Sequence, residues 1–151
     1  MYYVYVLSCI DKIRDLKKFY IGSSSDLKTR LMQFAKLLGV GDYSIRLTIG
    51  TRKKGAEDYD TYGYVRTDEE TRSVAMFLNK RMLKKEVSEI DNTIVHELLH
   101  VRLNRLLSLV DDILSKHVTD KKAQAVYTIQ IEKLEHEIII ALVKALEKNA
   151  D

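Results

Sequence analysis

The chain has no proline, no tryptophan, one cysteine and six glycines in 151 residues. Without proline there is no polyproline or collagen-like segment, and helices and strands must be stopped by glycine and by polar residues. The single cysteine, Cys9, excludes an internal disulfide framework and fits a reducing compartment. Long hydrophobic runs are also missing. The longest strongly apolar stretch, "IIIALV" at 138–143, is far short of the roughly 20 residues that span a bilayer. The start, "MYYVYVLSC", lacks the basic n-region of a secretory signal and alternates like a strand. No low-complexity tract or repeat interrupts the chain. The expectation is a soluble, cytoplasmic protein with no membrane partner.

A hydrophobic fraction of 46% supports a real core, and a charged fraction of 31% supports a solvated surface. The net charge of +3 is unevenly placed. Residues 1–31 hold Lys12, Arg14, Lys17, Lys18, Lys28 and Arg30 against Asp11, Asp15 and Asp26, which accounts for all of it. Any attraction for nucleic acid therefore belongs to this N-terminal fifth.

Alternation in "YYVYVL" (2–7) and "KFYIGS" (18–23) predicts two strands joined by a polar connection. Leu27, Leu31, Phe34, Leu37 and Leu38 then recur at helical spacing after Ser/Asp cap candidates, and Gly39 and Gly41 end the helix. Strands are predicted at 43–51, 61–67 and 72–79, the first two as a hairpin around "RKKGAEDYD". "KRMLKKEVSEID" reads as loop with a helical turn. A long helix follows, capped by Asp91 or Asn92, with a wide apolar face that includes Ile94, Leu98, Leu106 and Ile113. "SKHVTDKK" breaks it, and a second long helix covers about 123–148.

The first long helix contains "TIVHELLHV" (93–101). Residues four apart on a helix share a face, so His96 and His100 can grip one ion from the same side, and neutral imidazoles suit Zn²⁺. Glu97 points about 100° away from His96 and is placed to act as general base toward a metal-activated water. The third ligand must come from elsewhere. Candidates are Glu132, Glu135 and Glu137, with His136 beside them and His117 in the inter-helix loop. Ile131, Leu134, Ile138, Leu142 and Leu146 predict the buried stripe of the last helix, and Glu135 falls within it. A carboxylate there needs a partner, and a metal is a natural one. His136 points away from that stripe toward solvent. Tyr127, two turns before Glu135, is either a phenol donor to an oxyanion or an aromatic core residue.

With this motif, residues 32–151 resemble a small zincin metallopeptidase of the gluzincin type, close to the minigluzincin pattern. The resemblance implies zinc held by His96, His100 and Glu135, Glu97 as base, and a peptide or protein substrate. It also implies that "SVAMFLN" is the edge strand that pairs with extended substrate. Residues 2–31 resemble the opening of a GIY-YIG nuclease, with Val4-Tyr5-Val6 for the first tripeptide, then Tyr20-Ile21-Gly22, then Arg30 on the following helix. That resemblance implies Tyr5, Tyr20 and Arg30 around a phosphate. The expected fold is α+β: a small, mostly antiparallel sheet, an N-terminal helix, the HExxH helix and a C-terminal glutamate helix, with an N-terminal β-hairpin over 1–31 attached to a metallopeptidase domain over 32–151. The expected function is zinc-dependent peptide hydrolysis. A nuclease or nucleic-acid-binding protein, and an inactive zincin-like regulatory protein, are the alternatives.

Overall fold

The computed structural model describes residues 24–51 and 62–148. The expected strands at 2–7 and 18–23, Cys9, Tyr5, Tyr20 and the 52–60 loop lie outside them. Among the described residues the architecture is α+β: three helices and a three-stranded mixed sheet. No helix among them is long and apolar enough to cross a membrane.

Helix α1 (Ser24–Leu37) buries Leu27, Leu31, Phe34 and Ala35, the apolar i, i+4, i+7 positions of its sequence. It runs unbroken across position 31, so both sides of that boundary feed one core. Gly39 ends it with φ 73°, and the Val40 amide donates to the Ala35 carbonyl at 2.8 Å. This is the left-handed cap that glycine adopts without steric cost.

Strands β1 (Ser44–Gly50), β2 (Gly63–Asp68) and β3 (Ser73–Asn79) lie in the order β1-β3-β2. β3 pairs parallel with β1 and antiparallel with β2. The expected β1–β2 hairpin and mostly antiparallel sheet are therefore replaced by one pairing of each kind. The reason is visible in burial. Val74, Met76 and Leu78 of β3 are each 1% exposed, whereas Ile45, Leu47 and Ile49 of β1 are only half-buried. The strand with the most completely buried row takes the centre, where it gains neighbours on both sides. It follows that "SVAMFLN" is not an edge strand; among the described residues β1 and β2 are the edges.

A short 3₁₀ helix (Lys80–Lys84) leads into α2 (Val87–His117). The helix starts four residues before the expected cap, with the Glu86 amide donating to the Glu89 carboxylate at 3.3 Å. Asp91 is consequently not a cap but an interior, fully buried residue. Its carboxylate takes a two-pronged ion pair from Arg30 of α1, with Nε donating to Oδ1 at 3.0 Å and Nη2 to Oδ2. α2 lays Ile90, Ile94, Val95, Leu98 and Val101 on α1 and the inner face of the sheet.

After Val101 the helix leaves the core and continues as one arm of a hairpin with α3 (Lys121–Lys148). Gln124 closes the turn by donating to the Leu114 and Val118 carbonyls at 3.2 and 2.5 Å. Asp120 accepts from the Lys122 amide at 2.8 Å and caps α3. Half-buried Leu103, Leu107, Val110 and Leu114 of α2 form the seam against α3, which places Ile139 in the core. Leu134 and Ile138, expected in the buried stripe, are 56% and 52% exposed. The seam is centred on Ile131, Glu135, Ile139 and Leu142 instead, rotated away from both.

Candidate metal centre

The site lies where α2 leaves the core. Helical spacing stacks His96 and His100, and their Nε2 atoms are 3.2 Å apart. Two nitrogens bound at about 2.0–2.1 Å to one tetrahedral ion sit roughly 3.3–3.4 Å apart, so the pair is already spaced for a shared metal. From α3, the His136 ring centroid lies 5.1 Å from that of His96 and 6.0 Å from that of His100. The three offer one ligand atom each within 4.8 Å of one another, the three-residue group among the described residues that could hold a metal. His136 was expected to point away from the site. It is exposed, yet it faces the other two, because the true seam of α3 is rotated toward Ile139.

Glu135 is also brought to the site, as a hydrogen-bond partner: its Oε1 is 3.0 Å from His100 Nδ1. With His100 donating from Nδ1, its Nε2 keeps a free lone pair. Burial, followed by the charges of His100 and His136, pushes His96 down to about 4, so its imidazole is neutral at physiological pH. Three imidazoles, one oriented by a carboxylate, are a donor set that fits zinc or a similar borderline cation. Of the remaining ligand candidates, Glu132, Glu137 and His117 fall outside the three-histidine group, and Tyr127 sits on the opposite flank of the hairpin, 46% exposed.

Glu97 lines the same cleft as the histidines and packs against the sheet. It is 6% exposed, and burial pushes its carboxyl up to about 7. Gly63 of β2 faces it: a Cβ at that position would meet Glu97 Cγ, Glu97 Oε1 and Leu78 Cδ2, each at 3.2 Å. The glycine inside "TYGYV" thus marks a close approach of strand to helix, a signal that a glycine in a strand carries in sequence.

A cleft of about 430 Å³ runs over these groups, walled by Gly63, Val65 and Thr67 of β2 and by the histidines, Asn104 and Glu135. A second lobe of about 310 Å³ opens on the other side of Glu97 against Tyr62, Asn92 and Val143. Beyond the first lobe, Glu69 at the end of β2 accepts from Asn104 Nδ2 at 2.9 Å and Tyr43 Oη at 2.7 Å. These hydrogen bonds hold the Glu69 carboxyl below its usual range and brace the tip of the β2–β3 hairpin on α2. Nothing in the spacing of Tyr43, Glu69 and Asn104 announced this brace.

Arg30 is 4% exposed and bound to Asp91, so it is placed as a structural cation rather than on a surface where phosphate could reach it. Comparison with protein-family profiles, with characterised proteins and with solved structures finds no match to the chain.

Proposed function

We propose that the chain is a metal-dependent peptidase, with zinc as the favoured ion, held by His96, His100 and His136. The observation that carries this reading is the convergence of those three imidazoles beside a buried glutamate and a strand, β2, that is an edge among the described residues. Glu135 takes the part of an orienting carboxylate behind His100 rather than the third ligand implied by the gluzincin resemblance. A divalent ion there would supply Lewis acidity, polarising a carbonyl and acidifying water.

The chain's own residues account for the rest. Glu97, with its affinity for protons matched to neutral pH, takes the proton of the attacking water and returns it to the leaving amine. Gly63 leaves room for that carboxylate. β2 positions the substrate. The Asn79 amide bonds the Tyr62 carbonyl at 2.8 Å, so the alternation of an antiparallel ladder turns the peptide groups of Gly63, Val65 and Thr67 outward, along the cleft. An extended peptide can add to that edge and lie across the histidines.

The decisive experiment is the metal content of purified protein, wild type beside His96→Ala and His136→Ala. The expected result is about one zinc per wild-type chain and none in either variant. Hydrolysis of unstructured peptides should follow the metal and be abolished in Glu97→Gln, which keeps the ion. A wild type that stays metal-free after reconstitution would end the peptidase reading.

A further inference from the structure

Beyond the core the α2–α3 hairpin has one apolar seam inside it and a second on its outside. Leu106, Leu109 and Ile113 of α2, and Tyr127, Leu134 and Ile138 of α3, are between 46% and 57% exposed. On α2 the spacing is three and four residues, and on α3 it is seven and four, so each set forms a stripe parallel to the inner seam. At about 100° per residue, both stripes fall on the same flank of the hairpin, the one facing away from His100 and His136. A helix with two such seams is built for a bundle of more than two helices.

The geometry points to a second copy of this chain as the occupant: the hairpins of two chains pack flank to flank into a four-helix bundle. Two observations favour a second copy. The strip covers both antiparallel arms, so a hairpin turned end for end presents the same two rows, which makes the strip self-complementary about a two-fold axis. Its size is also appropriate. Six side chains of roughly 100 Å² in full, each about half exposed, offer about 300 Å² per chain and about 600 Å² for the pair. That approaches the apolar share of the smallest stable interfaces, about 1,200 Å² with a little over half of it apolar. The end-for-end arrangement sends the two cores to opposite ends and leaves each histidine cleft open. The inference does not depend on a metal being bound.

Sedimentation of the full chain tests it, from about 1 to about 100 µM, the range in which an interface near the lower size limit is expected to dissociate. The expected result is conversion from one-chain to two-chain mass, abolished in the double variant Leu106→Glu/Leu109→Glu with helicity and metal content unchanged. A wild type that is monomeric throughout, or a folded variant that still dimerises, would overturn the proposal. A monomeric wild type that co-sediments with phosphatidylcholine vesicles would also overturn it and assign the strip to a membrane surface. Should the variant fail to fold, amide exchange of the wild type at the two extreme concentrations decides. Slowing confined to residues 102–116 and 124–138 supports the bundle, and slowing elsewhere or none at all overturns it.

Discussion

The two halves of α2 are written in the same residues and have opposite fates. Before Arg102 the helix buries Ile90, Ile94, Val95, Leu98 and Val101 against α1 and the sheet; after it, Leu106, Leu109 and Ile113 stand in solvent. Composition does not separate them. What separates them is the number of layers within reach: α1 and the sheet pack on the first half, and beyond Asn104, among the described residues, α3 alone accompanies the second. The histidine site lies at the junction, where one face of the helix is held by packing and the other is open to a cleft. A rigid base beneath an open face is what a preorganised site needs.

The largest effect should come from the ion pair that ties α1 to the first half. Arg30→Ala takes the two-pronged guanidinium partner away from the fully buried Asp91 carboxylate, and urea unfolding should show a loss of about 3–5 kcal/mol. Replacing both partners with apolar residues, as in Arg30→Met/Asp91→Leu, should recover most of that loss. If Arg30→Ala were as stable as wild type, α1 would not be anchored as described.

Leucine truncation sharpens the same contrast. Leu98→Ala, at a fully buried position, should cost about 2–5 kcal/mol. Leu109→Ala, more than half exposed, should cost no more than about 0.5 kcal/mol in dilute protein. Equal costs would mean that the distal half is packed after all.

Much of this difference was out of reach of sequence reading, for a physical reason. Periodicity marks an apolar face but not the layer that will cover it. Leu134 and Ile138 were read as buried because they share a stripe with Ile131, yet α3 meets α2 through Glu135 and Ile139. That rotation by a fraction of a turn decided the fate of two further residues: it brought His136 into the site and left Tyr127 outside. The local signals fared better. The helix stop at Gly39, the three strands near 43–79, and the His96–His100 pair on one helix face are where the spacing placed them. The strand order was not legible, because alternation alone does not say which strand is central. Nor was the partner of Asp91, which lies 61 residues away.

The buried carboxyl of Glu97 gives a pH test on metal-free protein in chelator. Burial raises it from its ordinary 4.5 to about 7, so the native state holds the proton more tightly than the unfolded chain. Stability from this group is full below about 4.5 and declines as pH rises through 7, by at most about 3 kcal/mol at 1.36 kcal/mol per unit. His96 works in the opposite sense. Lowered to about 4 from 6.5, it withdraws stability as pH falls through that interval. Comparing wild type with Glu97→Gln separates the two. The variant keeps the loss on the acid side and lacks the decline toward neutrality, so it should be the more stable protein at pH 7 and above. A pH-independent difference between them would place Glu97 in contact with water.

Metal affinity distinguishes a ligand from the group behind it, at the boundary between the rigid half of the helix and its open arm. If Glu135 only orients His100 through the 3.0 Å contact to Nδ1, Glu135→Gln keeps a hydrogen-bond acceptor there, and metal affinity should fall by about 10- to 100-fold without being lost. His136→Ala, by contrast, removes a donor atom from the group of three and should abolish stoichiometric binding. Competition titration against a calibrated chelator reads both. The reverse order, with Glu135→Gln metal-free and His136→Ala merely weakened, would exchange the two roles. It would mean that α3 turns on binding to bring its carboxylate inward, and the seam through Ile139 would then be one of two settings of the hairpin.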